Sequence, residues 1–129
     1  MKSELTQYVD KALSRRLNEE NNNFTNSTQL LGDCLFNTKV LSEVLTENDV
    51  SHTIYGGALR EDYGDNDIPE SFGVAKKIGL VHYWIEVNGY VCEISSESKH
   101  REYFGQSVVL PSRPSNYIVF EDSKLDNLL

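Results

Sequence analysis

Positive charge is scarce in this sequence. Lysine and arginine number 12 against 20 aspartates and glutamates in 129 residues, which leaves a net charge of −8. Such a chain repels phosphate backbones and anionic lipid, so nucleic acid is not an expected partner. Long apolar runs are missing too. None approaches the roughly 18–20 residues a membrane-spanning helix needs, and the start, MKSELTQYVDKALSRR, lacks the apolar centre of a secretion signal. These absences predict a cytoplasmic protein with no membrane partner. Cysteine is limited to Cys34 and Cys92, in no CxxC pair and in no Cys/His cluster with zinc spacing. A disulfide between them is compatible with the sequence, but reduced thiols are expected in a cytoplasmic chain. The sequons at Asn23 and Asn26 carry no weight without an export signal.

What is present suits one ordinary folded domain over residues 1–129, with 39% hydrophobic, 10% aromatic and 25% charged residues. Leu5, Tyr8, Val9, Ala12, Leu13 and Leu17 recur at helical spacing, which predicts a helix over about residues 3–19. Asn21, Asn22 and Asn23 end it, and the polar stretch through Thr28 reads as a loop. Asp33 is a good N-cap, so a second helix is expected to open at Cys34, with Leu41, Val44 and Leu45 along one side. SHTIYGGAL predicts a strand of about six residues that stops at the glycine pair. Residues 60–79 show no sustained period and read as a long connection. LVHYWIEV, Asn88-Gly89 and YVCEIS predict a hairpin with a two-residue type I′ turn. SVVLP and NYIVFED predict two further strands, and the tail DSKLDNLL has slight helical character. The fold class expected is α+β, N-terminal helices on an antiparallel sheet.

Cys34 holds the first chemical interest. A thiol in the first turn of a helix lies at the positive end of the backbone dipole, which favours the nucleophilic thiolate. The competing reading is a small buried residue opening a core helix. The hairpin register pairs Val87 with Tyr90, Ile85 with Cys92, Trp84 with Glu93 and His82 with Ser95. Alternation then sets His82, Trp84 and Glu86 on one face with Glu93 diagonal to His82, within a glutamate's reach. A carboxylate on one imidazole nitrogen fixes the tautomer and leaves the other nitrogen to serve a nucleophile; a surface ion pair is the plainer alternative. The opposite face, with Tyr83, Ile85, Val87 and Cys92, is the apolar one, making Cys92 the structural cysteine. The helix bearing Cys34 must therefore pack on the His82 face, or at its edge, for the three groups to meet. His52 and His100 read as solvated surface residues, and Glu61, Asp62, Asp65 and Asp67 as a solvated acidic loop without the closing Glu of an EF-hand. Tyr55 and Tyr63 suit core or rim positions.

GDCLFNTKVLSEVLTENDVSHTIYGGALR, followed by HYWIEVNGYVCEIS, resembles the transglutaminase-like superfamily of papain-like cysteine enzymes over about residues 29–95. In that family a Cys opens a helix, a strand with a glycine pair follows, and a His-x-Trp strand leads by hairpin to an acidic residue. The resemblance implies Cys34 as nucleophile, His82 as general base and acid, and Glu93 as the orienting carboxylate, where the family usually has Asp. Tyr83 replaces a smaller residue, and Ile94-Ser95 departs from the usual Asp-x-Thr. The function implied is a small cysteine hydrolase or acyltransferase acting on peptide or side-chain amides of a protein substrate, and no metal or organic cofactor is expected because such a triad needs none. The Cys34 amide and Gln29 would hold the oxyanion, with Trp84 on the substrate side. The alternatives are a non-catalytic binding or regulatory module on the same fold, and a structural or inhibitory protein of unrelated α+β fold.

Overall fold

A computed structural model describes residues 1–20, 34–94 and 107–124. Two helices come first, α1 (Lys2–Glu20) and α2 (Cys34–Glu47), then strand β1 (Thr53–Leu59). Two short helices follow, α3 (Arg60–Tyr63) and α4 (Phe72–Ile78), and then β2 (His82–Val87), β3 (Tyr90–Ile94), β4 (Ser107–Leu110) and β5 (Tyr117–Lys124). The strands form one antiparallel sheet in the order β4-β3-β2-β1-β5. Helices beside an antiparallel sheet bear out the α+β expectation.

The two long helices and the β2–β3 hairpin lie where the periodicity predicts them. Asn88 and Gly89 both take positive φ, 50° and 87°, as a type I′ turn demands. Val87 pairs with Tyr90 and Ile85 with Cys92, the register read from the sequence. Leu5, Val9 and Ala12 of α1 and Val40, Leu41, Val44 and Leu45 of α2 bury against Ile54, Ile85, Val87, Cys92 and Ile94. Each large side chain sealed in this layer contributes about 1.5–3 kcal/mol. Arg15 of α1 makes a forked bond to Glu47 at the end of α2, both contacts 2.8 Å.

Three expectations need correction. Strand β1 does not stop at its glycine pair but runs through Gly56 and Gly57 to Leu59. The glycines serve close approach: a Cβ at Gly57 would lie 2.1 Å from the Ile118 carbonyl oxygen of β5 and 2.8 Å from the Trp84 ring. The β1–β5 register also shifts between Tyr55 and Gly57, an irregularity that glycine tolerates. Residues 60–79 are not a featureless connection. The Ser71 side chain caps α4 by accepting from the Val74 amide at 3.3 Å, and Gly79, at φ 86°, donates to the Ala75 and Lys76 carbonyls to close it. Phe72 and Ala75 then pack with Ala58, Tyr63, Tyr83 and Phe120. Finally, Asp122, Ser123 and Lys124 continue β5 rather than opening a helix. The loop expected through Thr28, the Asp33 cap and the end of the tail lie outside the described residues.

Candidate active site

The hairpin delivers the polar pair that its register implies. Two-residue alternation puts His82 and Trp84 of β2 on the face that also carries Val91 and Glu93 of β3. His82 Nε2 lies 2.9 Å from Glu93 Oε1, with the two residues only 3% and 6% exposed. The second carboxylate oxygen accepts a hydrogen bond of 2.5 Å from the Tyr117 hydroxyl. Glu93 thus receives a donor on each oxygen, which is how a buried carboxylate is satisfied. With Nε2–H donating to Glu93, the ring's lone pair lies on Nδ1. The pair is therefore a buried, doubly anchored one rather than a surface ion pair.

Aromatic packing fixes the imidazole further. The His82 ring stacks on Trp84 with centroids 5.9 Å apart and meets Tyr117 edge-on at 5.5 Å. Trp84 meets Tyr117 edge-on at 5.1 Å. Its indole N–H donates to Glu86 Oε2 at 2.8 Å, and Arg113 grips the same carboxylate with contacts of 2.6 and 3.0 Å. The Arg113 guanidinium also lies over the Tyr55 ring, 5.0 Å from its centroid, and Tyr55 stacks on Trp84. Trp84, expected on the substrate side, has no exposed surface. It is a packing plate behind His82, because the bare Cα of Gly57 lets its ring settle onto β1.

Sequence reasoning missed Tyr117, Glu86 and Arg113 as members of this network. Tyr117 opens β5, on the far side of β1 from the hairpin. No local spacing links it to Glu93, 24 positions away. Alternation does place Glu86 beside Trp84, and that was the only signal available for it.

Helix α2 begins at Cys34, as expected, and its first turn holds no acidic residue. Its body lies on the Ile85 and Cys92 face, not the His82 face. The apolar stripe of α2 requires that, since the His82 side is filled by Leu59, Trp84, Val91 and Tyr117. Leu35, in the first turn, packs against the cluster containing Tyr83, with Leu80 and Val81 also on that cluster. The start of α2 therefore lies toward the end of β2 where His82 stands. Gln29 lies outside the described residues, as does His100.

Cys92 is the structural cysteine expected. It is fully buried, and burial first, with the charge of Glu93 second, pushes its thiol up to about 12. Tyr63 is buried with its hydroxyl on the Leu80 carbonyl at 2.9 Å, and Tyr55 is half-buried. His52 is not a solvated residue: its ring is bonded to Ser42 and to the Val50 carbonyl. Among the described residues no three His, Cys, Asp or Glu side chains gather as a metal site, and no helix is long and apolar enough to cross a membrane. No family model, curated protein or solved structure matches the chain.

Proposed function

We propose that the chain is a small thiol enzyme that cleaves or transfers amide acyl groups of a protein or peptide, with Cys34 as nucleophile, His82 as acid and base, and Glu93 as the orienting carboxylate. One observation carries the reading: a buried histidine whose Nε2 is held by a carboxylate, itself anchored by Tyr117, at the end of the strand beside which α2 starts. Fixing one imidazole nitrogen in this way directs the other to a nucleophile. A transglutaminase-like arrangement is the resemblance that fits this order of residues.

In the proposed reaction the Cys34 sulfur attacks the amide carbonyl carbon, and its proton passes to His82. The C–N bond then breaks as His82 returns that proton to the departing amine. Water or a second amine, deprotonated by His82, attacks the thioester and restores the thiol. Glu93 stabilises the imidazolium formed between these steps. Tyr117 and Trp84 hold the ring in place and touch no substrate.

Iodoacetamide labelling at pH 7 with peptide mapping tests the proposal. Cys34 should react and Cys92 should not. His82→Ala should slow Cys34 by about 10-fold or more, since an unassisted thiol is only a few per cent thiolate at neutral pH. A Cys34 rate typical of a free thiol and indifferent to His82→Ala would sink it. The burial of His82, Glu93 and Trp84 favours a second reading, in which the network is the polar core of a binding module. That reading expects Cys34→Ala to leave partner binding intact.

A further inference from the structure

We propose a second nucleophilic site, independent of Cys34, in which Ser42 accepts acyl groups from small neutral esters with His52 as its base. Ser42 lies mid-helix in α2, and its Oγ is 2.7 Å from His52 Nε2. His52 Nδ1 lies 2.8 Å from the Val50 carbonyl oxygen. A carbonyl can only accept, so Nδ1 carries the hydrogen and Nε2 presents a lone pair. The Ser42 hydroxyl is then the donor, aimed at a base that a third group orients, which is the arrangement an activated serine needs. The helix end builds the third group. Val50 N–H bonds the Leu45 carbonyl and Asp49 N–H the Thr46 carbonyl, with Asp49 in the left-handed region at φ 59°. That closure turns the chain so that Val50 O faces the ring.

Ser42 and His52 also line an open cavity of about 500 Å³, with Thr46, Asp49, Ser51 and Ile54 on its walls. The volume admits a small ester. Among the described residues the lining includes no lysine or arginine, α2 has no basic residue in its last turn, and Asp49 adds negative charge. These features repel anionic esters, so the proposed substrate class is neutral. Thr46, one helical turn from Ser42 on the same face, and Ser51 also line the cavity, and theirs are the hydroxyls proposed to donate to the developing oxyanion. Neutral hydroxyls in a shallow site suit esters with a good leaving group rather than amides. Ser42 Oγ attacks the ester carbonyl and its proton goes to His52 Nε2. The C–O bond breaks, the alcohol leaves with that proton, and water releases the acid and frees Ser42.

The test is labelling of the full chain with a neutral alkyl fluorophosphonate, which phosphonylates activated serines with loss of fluoride, followed by peptide mapping. The expected result is an adduct on Ser42 whose rate falls at least tenfold in His52→Gln, with circular dichroism unchanged. Ser42→Ala should remove that adduct. A folded wild-type chain unlabelled at Ser42 overturns the proposal, as does a Ser42 rate unaffected by His52→Gln. Because the adduct is mapped to Ser42, failure here leaves the Cys34 reading standing, and failure of the iodoacetamide test leaves this one standing.

Discussion

Gly57→Ala perturbs the candidate site without touching any residue proposed to react. The added methyl would stand 2.1 Å from the Ile118 carbonyl oxygen and 2.8 Å from the Trp84 ring. Overpacking typically costs about 1–3 kcal/mol when side chains can yield. Here the nearer obstacle is backbone of the neighbouring strand, so relief requires β1 and β5 to separate, and we expect a loss of ~3 kcal/mol or more. For a domain of this size that is roughly a 10 °C fall in Tm. Gly56→Ala provides the contrast. The three atoms nearest its methyl would all belong to the Phe72 ring, the closest at 2.7 Å, a side chain that can swing, and a loss of ~1–2 kcal/mol is expected. Gly73→Ala, in the first turn of α4, is the opposite control: no described atom outside the helix's own backbone lies within 4 Å of its methyl, and the alanine gains about 0.4–1 kcal/mol by restricting the unfolded chain. Thermal unfolding followed by circular dichroism ranks the three. Trp84 is the sole tryptophan, so its fluorescence reads the ring displacement directly. A Gly57→Ala Tm within 2 °C of wild type (about half a kcal/mol), with an unshifted emission maximum, would refute the close-packing argument.

Glu93→Gln offers an amide N–H to one of two groups that already donate, so it should cost about 1.5–3 kcal/mol, read as a lower urea midpoint. Tyr117→Phe removes one donor from Glu93 and should fall in the same range; a neutral result for both would mean the carboxylate is not held as described. Arg113→Ala breaks a partly exposed forked pair, so its stability cost should stay below ~1 kcal/mol, while Trp84 emission shifts as the clamp on Glu86 is lost. Burial keeps the Cys92 proton in the folded chain to about pH 12, whereas the unfolded thiol loses it near 9. The unfolded state therefore binds fewer protons between those values, and stability falls as pH rises, by up to ~1.4 kcal/mol per pH unit. Cys92→Ala should remove that part of the slope; equal slopes from pH 9 to 11 in the two proteins would contradict the assignment.

The hairpin was legible because its information is local. Asn88-Gly89 dictates the turn, the turn dictates the register, and the register sets Glu93 diagonal to His82. The same logic could not find Tyr117, whose approach depends on β5 joining the sheet on the far side of β1. The glycine pair misled for a related reason. Glycine reads as punctuation in a linear sequence, yet Gly57 is bare because a ring and a carbonyl from distant segments need its space. The α4 helix carried local signals, Ser71 before it and Gly79 after it, but at 7 residues it is too short for a periodic pattern to emerge. His52 was misjudged because its partner, Ser42, sits on the preceding helix and nothing in the spacing favours that pairing.

The order of the strands has a bearing on how copies of this chain behave in a crowded solution. Within the described sheet the margins are β4 and β5. The first is only 4 residues long and is followed by Pro111, while the second carries Glu121, Asp122 and Lys124. Brevity, a proline stop and charge are the devices that discourage another molecule from adding its own backbone to an open rim. The sheet can therefore keep its aromatic interior while offering neighbours little template for fibril growth.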